Sequence, residues 1–375
     1  MSAPSAKDKI LDIECLRAFA IIYTLIAHFR VLYVVEPQWI QEMDKRAMFH
    51  GGVDLFFVIS GFVISKNLIP AAQTMSELSE KVRFVSQFWV RRVYRLWPSS
   101  WLWAFIGLGV VVGTRQGHLK TEIYDIAAAL LQIYNYHAYS CANGVGICSH
   151  QAVGVYWSLS LEEQFYIVLP VLLVAARNQA KWILGGALLL SVPAHMYLPA
   201  LGGFVRWEAF CVGVLLAWLW GNEAVRSSVE HHLFKPLGRT TWIASCLMLA
   251  AIPMAGGGGL GGAGYTITAI CAGVLVAFAS LDQGHLGIPS TLKPLLVWFG
   301  ARSYSIYLVH TAVFLGFRAL ALKGWRDELP VALADFGWVG LAIVVVLIFS
   351  ELNFRFVESR FRHLGRPAPE LEGTT

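Results

Sequence analysis

Arg17 and His28 stand eleven positions apart in a stretch that is otherwise almost wholly apolar. At about 100° per residue, that spacing returns to within about 20° of the same helical face and climbs about 16 Å. Both side chains can therefore line one cavity, Arg17 near a mouth and His28 deeper. Imidazole is the side chain whose ordinary pKa suits general-base work near neutral pH. The plainer role for a membrane histidine is a packing contact hydrogen-bonded to a neighbouring helix, and the arginine on the same face weighs against it. Arg91, Arg92 and Arg95 form a second group. Arg92 and Arg95, at i and i+3, share a helical face. Two guanidinium groups there suit a bidentate hold on phosphates, although a topology signal alone also places basic residues at such a position.

Glu162 and Glu163 interrupt an apolar run, Trp157-Ser-Leu-Ser-Leu-Glu-Glu-Gln-Phe-Tyr166. Ionisable groups inside a bilayer are costly and mark functional sites by default. Adjacent carboxylates point about 100° apart on a helix, so these two serve different roles. Asp54 opens another run, Gly51-Gly-Val-Asp-Leu-Phe-Phe-Val-Ile-Ser-Gly61, in which Ser60-Gly61 suits a close helix approach. The HxxxD spacing of His50 and Asp54 is too short a pattern to carry weight. Ser303, Tyr307 and His310 (i, i+4, i+7) share a face and either line the same cavity or pack.

The elements that must position these residues follow from composition. The chain has 375 residues, 57 % hydrophobic and only 14 % charged, against roughly 25 % charged in a soluble globular protein. The apolar residues come in runs of about 20, enough to cross ~30 Å of hydrocarbon. They are continuous rather than alternating, which argues against a β-barrel. The fold class expected is an all-α polytopic membrane protein, about ten transmembrane helices around a polar cavity, with no room for a separate soluble domain. The domains expected are a cytoplasmic segment 1–12, a membrane domain 13–356 and a cytoplasmic tail 357–375. The first apolar run lacks a small-residue cleavage site and reads as a retained helix.

The spans fall at roughly 13–35, 50–69, 96–114, 157–176, 181–200, 204–221, 241–256, 264–281, 297–322 and 331–354. Basic residues mark the cytoplasmic side. They cluster in 66–95 (Lys66, Lys81, Arg83, Arg91, Arg92, Arg95), at Arg177/Lys181, in 222–240 (Arg226, Lys235, Arg239) and in the tail (Arg355, Arg360, Arg362, Arg366). Both termini are therefore expected inside, and the uncharged Gly-rich loop 256–264 outside. Parity leaves room for one crossing between 114 and 176, so the amphipathic stretch 123–139 is expected at the outer interface. Cys141 and Cys148 then face an oxidising compartment, either as a disulfide or as two free thiols. The net charge of +5 reports topology, and no basic tract with interleaved aromatics points to nucleic acid. Six cysteines without a CxxC spacing argue against zinc. There is no GxSxG elbow, HExxH or P-loop.

Several blocks resemble the acyltransferase-3 family of integral membrane acyltransferases. They are Leu16-Arg17 with His28-Phe29 eleven positions on; Gly52-Val-Asp-Leu-Phe-Phe-Val-Ile-Ser-Gly-Phe62; Arg92-Val-Tyr-Arg95-Leu-Trp-Pro98; and Trp157 to Tyr166 with Pro170 after it. Smaller matches are Arg206-Trp-Glu-Ala-Phe-Cys-Val-Gly213, Ser303-Tyr-Ser-Ile-Tyr-Leu-Val-His310 and Phe356-Val-Glu358. The blocks fall in order over about 11–360. The third ends Trp97-Pro98-Ser99, where an aromatic after the proline is commoner, and the resemblance is to the stand-alone form without a fused outer esterase-like domain.

The resemblance implies transfer of an acyl group, usually acetyl, from cytoplasmic acetyl-CoA or another acyl-CoA to a hydroxyl of a surface polysaccharide or lipid-linked glycan. It implies a bacterial inner membrane, a setting among membrane lipids, and no metal. His28 and Glu162 map to catalytic positions and Arg17, Arg92 and Arg95 to a donor-binding mouth, where Arg91 is expected beside them because coenzyme phosphates call for clustered cations. Asp54, Ser60, Tyr166, Ser303, Tyr307 and His310 are expected to support the cavity. His28 would act as general base, and Glu162 would either orient it or bind the sugar. A transporter or flippase with an intramembrane proton relay is the competing reading, against which no clear inverted repeat is found.

Overall fold

A computed structural model describes residues 9–47, 49–197, 204–238, 240–255, 263–326 and 336–365. Arg239, Arg366, most of the Gly-rich loop and the first residues of the expected tenth span lie outside them. Among the described residues every regular element is helical. The long helices are α1 (Leu11–His28), α3 (Gly51–Thr74), α4 (Leu78–Thr114), α7 (Tyr156–Ala176) and α8 (Ala180–Tyr197). They continue with α9 (Trp207–Trp220), α11 (Thr240–Ala255), α12 (Ala263–Ser280), α14 (Ser303–Leu322) and α15 (Phe336–Asn353). Shorter pieces are α2 (Gln38–Arg46), α5 (Leu119–Leu130), α6 (Tyr134–Ala142), α10 (Glu223–Val229), α13 (Lys293–Ala301) and α16 (Ser359–Leu364).

Among the described residues seven helical stretches are long and apolar enough to cross a membrane, or eight when α9 and the segment after it, bent by 100°, count as one. One of the seven, Tyr156–His195, contains a reversal. Arg177 holds a left-handed φ of 46°, and its guanidinium donates to the Gln73 carbonyl at the end of α3 (2.8 Å). His195, near the end of α8, instead touches the Val205 carbonyl, beside the Arg206 that pairs with Asp54 at the start of α3. So α8 runs back along the depth that α7 descended. The expected count of ten is thus approximate: α9 and α11 are shorter than a full crossing.

Two expectations change in detail. The basic stretch 66–95 is not a loop. It is the last turns of α3 and the first half of α4, whose 37 residues run about 55 Å. A reciprocal capping box, Glu77 with Glu80, starts α4. The stretch 123–139 splits into α5 and α6, at 12 and 9 residues about 18 and 14 Å long, too short to span and in keeping with the parity argument.

The core forms two apolar clusters. One gathers α3, α9, α12 and the second half of α7, and the other gathers α14, α15 and the end of α1 with α5 and the start of α7. Phe56, Trp157 and Tyr304 touch both. The first is centred on Phe210, stacked on Phe57 (4.3 Å) and Phe165 (4.2 Å). Here α3 and α9 meet backbone to backbone. A Cβ on Gly61 would fall 2.6 Å from the Phe210 carbonyl, and one on Gly213 2.2 Å from that of Val58. That is the close approach expected of Ser60-Gly61. Leucines, valines and isoleucines on the outer faces of α7, α8 and α15 are exposed, as a lipid-facing belt requires.

Candidate active site

His28 is the last residue of α1. Its Nδ1 lies 2.8 Å from the Thr24 carbonyl one turn back. A carbonyl only accepts, so Nδ1 carries the proton and Nε2 keeps a free lone pair. Two more imidazoles flank the ring, His310 at 5.1 Å and His50 at 6.2 Å between centroids.

A line of polar side chains leads away from His28 between the two apolar clusters. Tyr307 lies one turn before His310 on α14, with ring centroids 5.7 Å apart. Its hydroxyl donates to the Val155 carbonyl (2.9 Å) and lies 2.5 Å from the Ser158 hydroxyl. Glu162 is one turn further along α7. It accepts from the Ser60 hydroxyl (2.6 Å) and from the Tyr166 hydroxyl. The Arg92 guanidinium then lies over the Tyr166 ring at 4.8 Å and the Phe88 ring at 5.2 Å, in electrostatic reach of Glu162 and Glu163. Among the described residues no hydrogen bond joins Glu162 to His28. The Thr24 carbonyl holds the position that a triad carboxylate would take.

At the arginine-rich end Arg17 pairs with Glu14 (2.9 Å), and the buried Arg95 Nε has no hydrogen-bond partner. Arg91 is half-buried, with Gly365 packed against its Cα. Glu358 lies on a π-turn, Phe354–Glu358, after α15, a feature often found at functional positions. It accepts from Ser305 (2.8 Å) and faces Arg95, Arg362 and Arg17. Ser303 is buried in the first turn of α14.

Asp54 lies to one side of this polar line, and its partner Arg206 is in electrostatic reach of His50 and Tyr307. Asp54 is 1 % exposed and forms an ion pair with Arg206 at 2.8 Å. The Arg206 guanidinium is held between the rings of Tyr265 (4.4 Å) and Trp157 (5.0 Å). Glu208 and His195 lie beside it, 3.4 Å apart. Arg206, Glu208, His195, Ser158 and Glu358 were not singled out as site residues from the sequence. Arg206, Glu208 and Glu358 do stand inside the motif blocks, as charges beside apolar runs, which was the signal available.

On the far side, Asp125 gathers α5, α6 and the segment before α7. It accepts from the backbone N–H of Ser149 (3.0 Å) and His150 (2.7 Å) and lies 2.8 Å from His137 Nε2. Cys141 and Cys148 form a disulfide. Among the described residues, one group has metal-type donors at ligand spacing, His137, Cys141 and Cys148, and two of its three donors are joined to each other.

Apolar helices around a seam of ionisable side chains define a polytopic membrane protein with titratable groups in its interior. The sequence profile described as "Acyltransferase domain", that of the acyltransferase-3 family, matches residues 10–351, and the chain belongs to this family. The chain is similar to a "Putative O-acetyltransferase" of Staphylococcus aureus strain COL, 29 % identical over 95 % of this chain and 58 % of the relative. It is 28 % identical to the "Putative peptidoglycan O-acetyltransferase YrhL" of Bacillus subtilis, over 84 % of this chain and 50 % of the relative. It is 27 % identical to the "Peptidoglycan O-acetyltransferase OatA" of Listeria monocytogenes, over 84 % and 51 %. The chain thus spans little more than half the length of the curated relatives it matches. No solved structure matches.

Proposed function

We propose that this chain is the acyl-transferring membrane unit of an O-acetyltransferase. The donor is an acyl-CoA, acetyl by preference, entering from the cytoplasm. The acceptor is a hydroxyl of a cell-wall or other surface glycan, or of its lipid-linked precursor. The relatives' names supply the acceptor class. The observation that carries the reading is the tautomer of His28. Its Nδ1 is committed to Thr24, and its Nε2 lone pair lies at one end of a polar seam that starts among arginines.

The coenzyme's phosphates would sit at Arg17, Arg91, Arg92 and Arg95, with Arg95 Nε as an unused donor. The pantetheine arm would cover the ~16 Å between the Arg17 and His28 levels. His28 Nε2 removes the acceptor hydroxyl's proton as its oxygen attacks the thioester carbonyl carbon. The C–O bond forms, the C–S bond breaks, and the leaving thiolate takes the proton back from the imidazolium. Glu162, held by Ser60 and Tyr166, faces the middle of the arm or the sugar rather than the base.

The test uses the purified full chain in nanodiscs with acetyl-CoA and a glycan acceptor, scored by mass spectrometry of the acceptor. His28→Ala is expected to lower turnover by about 10²–10⁴-fold while CoA binding persists. Wild-type turnover in that variant would overturn the base assignment. Failure of the wild-type chain to consume acetyl-CoA with any hydroxyl acceptor would overturn the reaction class.

A further inference from the structure

Trp103, Asn353 and Ser305 form a hydrogen-bonded chain at the arginine-rich end, and each link has a fixed direction. An indole N–H only donates, and Trp103 Nε1 donates to Asn353 Oδ1 (3.0 Å). That contact orients the amide and turns its Nδ2 the other way. Nδ2 donates to the hydroxyls of Ser305 (2.8 Å) and Ser99 (3.3 Å). Ser305 has one proton to give, and it gives that proton to Glu358 Oε2 (2.8 Å). Trp103, Ser99, Asn353, Ser305 and Glu358 are all buried, where water competes little for such bonds.

Local helix geometry explains how one serine meets both Asn353 and Glu358. Asn353 ends α15, and Glu358 closes the π-turn Phe354–Glu358. Five residues of α-helix rotate the chain by about 500°, which leaves the fifth about 140° away from the first. The i→i+5 bonding of a π-turn instead brings the fifth residue back over the first. Glu358 thus returns to the side of Asn353 that meets α14, and Ser305 pins both ends of the turn.

The Glu358 carboxylate faces Arg95, Arg362 and Arg17. Arg17 is already paired with Glu14, whereas Arg95 Nε is buried without a hydrogen-bond partner. A carboxylate free to move among guanidinium groups closes on them bidentately and takes the donors that a phosphate needs. Held by Ser305, it offsets the repulsion between the cations from a fixed place and leaves Arg95 Nε unoccupied. We propose that Asn353 is a positioning residue of the donor mouth: through Ser305 it holds the Glu358 carboxylate back from Arg95, which keeps that guanidinium group available to the coenzyme's phosphates. This inference rests on the arginine-rich end being the donor site.

Asn353→Asp is nearly isosteric. It still accepts from Trp103 but cannot donate, so Ser305 turns its proton towards the new carboxylate and away from Glu358. Ser305→Ala removes the last link without adding a charge, and serves as the second variant should the aspartate misfold. Each is compared with the wild type as full chain in nanodiscs, by titration with CoA and by turnover of acetyl-CoA, with thermal unfolding recorded in parallel. Both are expected to raise Kd for CoA and KM for acetyl-CoA by about tenfold, with kcat within about twofold. In a Glu358→Gln background there is no carboxylate to release, and adding Asn353→Asp is expected to change Kd by less than about twofold. Wild-type or lowered Kd in both single variants overturns the proposal. So does an equally large effect in the Glu358→Gln background, or a loss of kcat that tracks the unfolding temperature in both. If the wild type binds CoA and both variants match it, this inference alone fails; if the wild type binds no CoA, the donor site itself fails.

Discussion

Three residues settle how charge is tolerated inside this protein. His28 has its tautomer set by one backbone carbonyl. Arg92 is spread over two aromatic faces, where a planar guanidinium outperforms an ammonium group. Arg206 is paired with Asp54 and sandwiched by Trp157 and Tyr265. The last of these is a packing element as much as a polar one. Removing one partner of a buried pair leaves an uncompensated charge and costs about 3–5 kcal/mol. Arg206→Ala should therefore sharply lower the unfolding temperature in detergent, and adding Asp54→Asn should recover part of the loss. An Arg206→Ala protein as stable as the parent would show that the pair carries no structural weight.

Helix contacts translate those pairings into a fixed seam. Glycines at 61 and 213 let α3 and α9 touch through their backbones. That contact holds Ser60 on α3 where it meets Glu162 on α7. Gly213→Ala would drive a Cβ to 2.2 Å from the Val58 carbonyl, and the forced separation should cost about 1–3 kcal/mol. Gly186→Ala on α8 meets nothing within 4 Å and should be neutral or stabilising by up to about 1 kcal/mol. Thermal unfolding of the two variants in one detergent makes the comparison. Equal stability of both would mean that the α3–α9 contact is not tight. The glycine pair was half legible in the sequence: Ser60-Gly61 stood out as a small-residue step, but its partner on α9 did not. Which glycine meets which depends on how two helices cross, and periodicity along one helix carries no information about that.

At the scale of the whole molecule, a row of polar side chains, Tyr307 with Ser158 and then Glu162 with Ser60 and Tyr166, lies between the histidine end and the arginine-rich end. A ligand that binds only the folded state stabilises it by mass action, about 2.7 kcal/mol at a hundredfold excess over Kd. Saturating CoA should thus raise the unfolding temperature of the wild-type protein in nanodiscs. Combined Arg92→Ala and Arg95→Ala should abolish the rise while leaving the basal temperature less affected. No rise in the wild type would argue against a donor site at that end.

The sequence by itself determined that the chain is helical, crosses a membrane several times and keeps a small set of ionisable residues at Arg17, His28, Asp54, Arg92, Arg95 and Glu162. Those conclusions rest on run length, charge scarcity and helical spacing, which are local properties, and on ordered motif blocks. Only the tertiary structure decided the partners. Asp54 belongs to Arg206, 152 positions away, and Glu162 to Ser60, 102 positions away. His28 lies against His310, whose spacing with Ser303 and Tyr307 placed it on a shared face without saying what that face meets. Such pairs form when separate apolar helices pack and force their few polar groups to find one another out of lipid. The burial demand was visible in the sequence, but its solution depended on helix order and crossing in three dimensions.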